Sequence, residues 1–263
     1  MSPVVSPAIN CAYLTGGTAG WPLADLSAAG YRALELTPDC LVAEERWRAA
    51  AERAGMRPSC VNAMHALRPY LTGSLSDAVS WRRKATLDSL LAALARMRAL
   101  GIPFLVVAPS RLAENYQSAA EARALLIQSL RALADAGRTQ ILLQAAPFRM
   151  FASSAEIASI VDEAARPNVA AALDTGHAML AGESPDRAAA ALGARLRYVQ
   201  VHDVDTRPGV PLLDGHLPFG SGTAARNEVR AALGDRPFAV SIAAPGDPLA
   251  AARGALEWLA APA

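Results

Sequence analysis

Short apolar runs and amphipathic helical stretches alternate along the entire chain, and this regular order decides the fold class. Eight runs have the length and side chains of buried strands, and they cover residues 8–12, 33–36, 59–62, 104–108, 141–144, 169–173, 197–201 and 238–242. A helical pattern follows each run, over residues 23–29, 41–54, 78–100, 119–136, 154–165, 186–192, 224–233 and 249–259.

Eight strand–helix units in 263 residues predict an α/β fold, specifically a (β/α)8 TIM barrel. An open, doubly wound sheet is the alternative, because alternation alone does not require the sheet to close. No Ser/Gly-rich linker divides the chain, so we predict a single domain over residues 1–263. The longest connection without a clear pattern, residues 64–77, is a candidate lid over the site, with a plain surface loop as the alternative.

The balance of charge excludes several classes of protein. The chain has 25 basic and 24 acidic residues and no basic stripe, so we predict that it does not bind nucleic acid. No uncharged apolar run reaches about 18 residues, and the N-terminus lacks the pattern of a signal peptide, which predicts a soluble, cytoplasmic protein without membrane contact.

Polar residues gather where the predicted strands end, which is the edge at which TIM barrels carry their chemistry. All four histidines of the chain lie at or just after such an end, and this favours a functional site over isolated structural histidines. Glu35 is predicted to point into the barrel as an ion-pair partner. The other polar residues at these ends include Asn62, His65, Gln144, Asp174, His177, His202, Asp214 and His216.

Three motifs carry a family resemblance. They are Asp174-Thr-Gly-His177, His202-Asp-Val-Asp205 and His216-Leu-Pro-Phe-Gly-Ser-Gly222. In this order the chain resembles the xylose isomerase-like TIM barrels, a superfamily of sugar-phosphate isomerases and epimerases, inosose isomerases and dehydratases, and endonuclease IV. The resemblance follows the strand order over nearly the whole chain and is most specific over residues 169–222.

The resemblance implies a divalent metal held by a Glu after strand five, an Asp after strand six, a His after strand seven and a Glu after strand eight. Asp174 and His202 are present, whereas the two glutamate positions read Gln144 and Ala243. We therefore predict no firm metal site and no cofactor, with Asp174, His202 and Gln144 as the residual candidates for a weakly held ion. The endonuclease IV members hold a further metal through positions that read His177, Asp214 and His216 here.

The surviving groups still have the components of an acid/base site, because Asp–His pairing raises imidazole basicity. We predict catalytic roles for Asp174, His177, His202, Asp214 and His216. Substrate-binding roles are predicted for Asn62, His65, Gln144 and Arg149, the last as a clamp on a carboxylate or phosphate.

The first functional hypothesis is a sugar isomerase or epimerase-like enzyme that transfers protons on a small polyhydroxylated or keto substrate. The first alternative is a metal-independent lyase, dehydratase or cyclase of specialised metabolism. The second is a non-catalytic pseudoenzyme or binding protein on the same barrel. The resemblance makes a small-molecule substrate and a homodimer reasonable expectations.

Overall fold

The structure is a computed structural model that describes residues 7–13, 21–65, 75–110, 118–147, 149–243 and 246–262. Its eight strands are parallel and in sequence order, and the last pairs with the first, which confirms the closed barrel and excludes the open sheet. The strands are β1 (Ala8–Asn10), β2 (Ala33–Leu36), β3 (Arg57–Asn62), β4 (Phe104–Val107), β5 (Gln140–Gln144), β6 (Val169–Asp174), β7 (Leu196–Val201) and β8 (Phe238–Val240).

Helices surround the barrel, and among those that the structure describes none is both long and apolar enough to cross a membrane. They are α1 (Leu23–Ala28), α2 (Pro38–Val42), α3 (Arg48–Arg53), α4 (Ser80–Ala99), α5 (Ala119–Asp135), α6 (Ser154–Ala164), α7 (Thr175–Leu180), α8 (Pro185–Leu192), α9 (Arg226–Leu233) and α10 (Pro248–Ala260).

The predicted helix over residues 41–54 is wrong as one continuous element. The chain forms α2, a 3-10 turn over Glu44–Arg46, and α3. Trp47 is buried, and its indole N–H donates to the carbonyl oxygen of Cys40 at 2.8 Å. A continuous helix would use that carbonyl within its own hydrogen-bond ladder, so burial of Trp47 favours the break.

Each strand turns alternate side chains to the two sides of the barrel wall. Side chains such as Leu34, Val61 and Leu143 point outward and pack in the main core with the helices. The inward side is filled mainly by small side chains and by Tyr198, and it forms a second, separate core of Ala8, Ala33, Cys60, Val106, Leu142, Ala170, Ala172, Tyr198 and Ala239. Most of the predicted lid falls on residues 66–74, which lie outside the described residues.

Candidate active site

The last inward-facing position of most strands carries a polar side chain, as the alternation requires. Small apolar side chains occupy the inward positions below it, so the polar layer forms the floor of the barrel mouth. All of its members are buried: Asn10, Glu35, Asn62, Gln144, Asp174, Gln200, His202 and Ser241.

Four predicted catalytic residues form one cluster at this mouth, namely His177, His202, Asp214 and His216. One side-chain nitrogen or oxygen from each lies within 4.8 Å of the others. The Nε2 atom of His177 is 3.0 Å from Asp214 Oδ2. The Nε2 atoms of His216 and His202 are 3.4 and 3.9 Å from Asp214 Oδ1. The carboxylate of Asp214 therefore lies among three imidazoles.

The opposite nitrogen of every imidazole, Nδ1, faces a main-chain carbonyl oxygen. The distance from Nδ1 to the carbonyl oxygen is 3.3 Å between His177 and Ala145, 3.2 Å between His202 and Asp203, and 2.8 Å between His216 and Ser241. An Nδ1–H that donates to these carbonyls leaves the lone pair on Nε2, the atom that faces Asp214. In this tautomer, a positive charge placed between the three lone pairs and the carboxylate would stabilise the cluster.

Asp174, the fifth predicted catalytic residue, lies directly beside this cluster. Its Oδ1 accepts the main-chain N–H of His177 at 3.0 Å, which begins α7, and lies 2.7 Å from Nε2 of His202. The second contact is an ion-pair distance and not a hydrogen bond, so Nε2 of His202 is buried without a hydrogen-bond partner. Asp174 therefore places a second carboxylate next to the three imidazoles.

The charges of the cluster shift the pKa values of its members. Burial raises the pKa of Asp174, but the charges of His177 and His202 outweigh it and hold that pKa below the usual range. Burial also raises the pKa of Asp214, but the hydrogen bonds and charges of His177 and His216 outweigh it, and the pKa of Asp214 is lowered. For His177, burial lowers the pKa, whereas the carboxylates of Asp174 and Asp214 raise it, and the net direction is upward.

The segment between β7 and α9, residues 202–225, brings Asp214 and His216 to the cluster, and we call it loop 7. His216 has a left-handed backbone with φ of 45°, which a non-glycine residue adopts at a cost of about 1 kcal/mol or more. Two contacts hold it there: its carbonyl accepts the N–H of Ala243 at 2.8 Å, and its ring stacks on His202 at 3.8 Å between centroids.

A divalent ion fits this cluster better than it fits the positions that the family resemblance implies. At those positions Ala243 has no ligand atom, and the amide nitrogen of Gln144 lies 3.3 Å from Nδ1 of His177, on the ring atom that does not face Asp214. Three imidazole nitrogens are a ligand set that catalytic zinc sites use, and here the carboxylate of Asp214 lies beside them. The Nε2 of His202 makes no hydrogen bond that binding an ion would have to break.

The side chain of Gln144 contacts the imidazole of His177. Its Oε1 is buried without a hydrogen-bond partner, while its Nε2 faces an imidazole nitrogen that carries a proton in the tautomer described above. If the side-chain amide were flipped, so that Oε1 and Nε2 exchange places, Oε1 would accept a hydrogen bond from this N–H, which would then be shared with the carbonyl oxygen of Ala145. In that orientation Gln144 would hold the ring of His177 in place.

Of the remaining predicted substrate-binding residues, Asn62 and Arg149 make their hydrogen bonds to residues outside the cluster, and the side chain of His65 is not among the described ones. Asn62 donates to Glu35 Oε1 at 3.3 Å and accepts the N–H of Met64. Arg149 is buried, and its guanidinium donates to the carbonyl oxygen of Pro109 at 2.9 Å. The side chain of His65 is outside the described part of the chain.

Glu35 points into the barrel as predicted, but the predicted ion pair is wrong. Its Oε1 accepts from the side-chain amides of Asn10 at 2.6 Å, Gln200 at 2.5 Å and Asn62 at 3.3 Å. No cation lies within ion-pair distance of it among the described residues. Burial raises the pKa of Glu35 to about 7, although the amide hydrogen bonds act in the opposite direction.

Comparisons with known proteins agree with this architecture. The structure is similar to a D-psicose 3-epimerase from Clostridium cellulolyticum H10 solved with D-tagatose, with a TM-score of 0.77, 17% identity and coverage of 97% and 96% of the two chains. It is also similar to the 3-keto-D-glucoside 4-epimerase of E. coli, with a TM-score of 0.78, 18% identity and coverage of 98% and 99%.

A third similar structure is an IOLI protein with a bound zinc atom, with a TM-score of 0.71, 17% identity and coverage of 96% of each chain. No curated protein sequence matches the chain. The family described as xylose isomerase-like TIM barrel matches residues 23–261. The chain therefore belongs to the xylose isomerase-like TIM barrel family.

Proposed function

We propose that this chain is a metal-assisted isomerase, which moves a proton between neighbouring carbons of a small polyhydroxylated or keto metabolite. One observation carries the proposal: three imidazole Nε2 atoms and a carboxylate converge at the barrel mouth. The sugar epimerases and the zinc-containing protein that share this fold support it.

The chain would hold the ion with the Nε2 atoms of His177, His202 and His216, next to the carboxylate of Asp214. Asp174 and Asp214 together carry two negative charges, which match a divalent ion. When bound, such an ion supplies Lewis acidity to a carbonyl oxygen and so makes the adjacent C–H more acidic. The main-chain carbonyls at each Nδ1 keep the three rings oriented for this task.

We assign proton transfer to the carboxylate of Asp214. Its side chain is 33% exposed, whereas those of His177, His202, His216 and Asp174 are at most 6% exposed. Asp214 is therefore the member of the cluster that a substrate in the mouth can reach. A carboxylate is a weak base towards carbon, and this is why the substrate C–H must be acidified.

The position of the titratable groups favours isomerisation over epimerisation. Inverting one carbon requires acid/base groups on both faces of the substrate, and the positions after β5 and β8 carry Gln144 and Ala243, which do not titrate. Within the described residues, the carboxylates and imidazoles of the cluster come only from β6, β7 and the segments that follow them. One carboxylate can remove the C–H proton and return it to the neighbouring carbonyl carbon on the same face, while the hydroxyl proton of the first carbon passes to the former carbonyl oxygen.

The metal site makes the first prediction. Protein purified without chelators is expected to contain a stoichiometric divalent ion, with zinc preferred, as measured by elemental analysis. His177→Ala and His216→Ala should each lower zinc affinity by about 100-fold or more, because each removes one of few ligands. Wild-type protein without metal affinity would contradict the proposal.

The second prediction separates binding of the ion from chemistry. Asp214→Asn should retain zinc but slow exchange of a substrate C–H into solvent deuterium by about 100- to 10,000-fold, because an amide cannot accept the proton. The assay covers a panel of ketoses and inososes by NMR. Exchange at the wild-type rate in Asp214→Asn would remove the assignment, and a product lighter by one water would make the chain a lyase.

A further inference from the structure

Asp203, the residue after His202, has a side chain that no part of the proposed chemistry uses. It is fully buried at the base of loop 7. No lysine, arginine or histidine lies within ion-pair distance of it in the described part of the chain. A buried carboxylate without a cation needs several hydrogen-bond donors to remain ionised.

Main-chain N–H groups supply these donors. Oδ1 accepts from Val204 at 2.9 Å and Ala224 at 2.8 Å, and Oδ2 accepts from Gly220 at 3.0 Å and Gly222 at 2.9 Å. Three of the four donors lie 17 to 21 residues away along the chain. Asp203 thus joins the beginning of loop 7 to its end.

The surrounding backbone is built closely around this carboxylate. A Cβ at Gly222 would overlap Asp203 Oδ1 and the carbonyl group of Val204, so only glycine permits the approach. The main chain of Asp203 also pairs with Leu217 in both directions, at 2.9 and 2.8 Å. Leu217 directly follows His216, so these contacts fix the part of the loop that reaches the cluster.

Convergent main-chain N–H groups of this kind form anion-binding nests, and loops after strands seven and eight often bind a phosphate in TIM barrels. We propose that Asp203 is a built-in anion that fills such a nest and positions Asp214 and His216 at the metal cluster. It is a positioning residue. The nest is then closed to a phosphate of the substrate, which is bound elsewhere or is absent.

The role of Asp203 in anchoring loop 7 does not depend on the proposed function. The expected effect of Asp203 on zinc affinity does rest on the proposed function. Asp203→Ala removes the anion and leaves the nest open. In metal-free protein, hydrogen exchange by mass spectrometry should then show amides of residues 214–224 exchanging at least about 10-fold faster, while those of α5 are unchanged. Zinc affinity should fall by about 10- to 100-fold.

Formate is the probe that identifies the anion. Added formate should restore protection of residues 214–224 and zinc affinity in Asp203→Ala, whereas formamide, its neutral analogue, should restore neither. Asp205→Asn is the matched control, because Asp205 lies in the same loop and, within the described part of the chain, its carboxylate contacts Arg207 and not the nest. It should exchange like the wild type.

A second variant keeps the test decisive if Asp203→Ala does not fold. Asp203→Asn has the same volume, but its amide cannot accept all four N–H groups, so it should lose protection and resist rescue by formate. Wild-type protection in Asp203→Asn, or equal effects of formate and formamide on Asp203→Ala, would overturn the proposal. Loss of zinc binding in the wild type alone would remove the proposed function and leave the exchange result intact.

Discussion

Gly176→Ala is expected to lower the zinc affinity of the cluster by about 100-fold or more. Gly176 lies in α7, in the motif that supplies Asp174 and His177. A Cβ at this position would overlap the imidazole of His202, and would lie 2.5 Å from its Nε2 and 2.6 Å from its Nδ1. His202 cannot move aside, because it is fully buried and stacked on His216.

The choice of alanine makes this result specific. Alanine is a better helix former than glycine, so a loss would not come from a weaker helix α7 and would point to the overlap with His202. Gly254→Ala is the matched control, because Gly254 lies in α10 with no neighbouring atom within 4 Å of an added Cβ. Zinc titrations of both variants provide the measurement, and unchanged affinity in Gly176→Ala would show that His202 is not a ligand.

Glu35→Gln is expected to stabilise the protein above pH 7 by about 3 kcal/mol relative to the wild type. The folded pKa of Glu35 is about 7, above its ordinary value of 4.5, so between these values the folded state binds more protons than the unfolded state. Stability contributed by the neutral acid is therefore present at low pH and is lost as pH rises through about 7, at about 1.4 kcal/mol per pKa unit.

Denaturant unfolding of both proteins from pH 4 to pH 9 measures this difference. The gap between Glu35→Gln and the wild type should open between pH 4.5 and pH 7 and remain constant above it. The same substitution at the exposed Glu257 controls for the loss of one negative charge. A gap that does not depend on pH would mean that Glu35 stays ionised inside the barrel.

Much of the site follows from the sequence because strand periodicity is a local property. The alternation of side chains along β6 and β7 places Asp174 and His202 on the inner face once the barrel is recognised, and all four histidines follow strand ends. Asp214 and His216 come from a long loop, and their position at the cluster depends on contacts across that loop.

The hydrogen-bond partners of the imidazoles and of Asp203 could not be predicted from the sequence, because they depend on contacts between residues far apart along the chain. Nothing local indicates that three main-chain carbonyls would orient the three imidazoles, or that Asp203 would meet N–H groups about 20 residues away. The nearest signal was the glycine pair at positions 220 and 222, which suggests a close approach of backbone to another group. Helix α7 was missed because its six residues are too few to show periodicity.

The four cluster residues and the adjacent Asp174 lie between positions 174 and 216, within two consecutive strand–helix units of the barrel. The other six strands contribute no member of the cluster among the described residues. Substitutions in the segments after β1 to β4 can therefore alter the shape of the mouth while the charged centre is preserved, whereas the segments after β5 and β8 orient its imidazoles. Such a separation lets evolution, or an engineer, change which molecule enters without rebuilding the reactive groups.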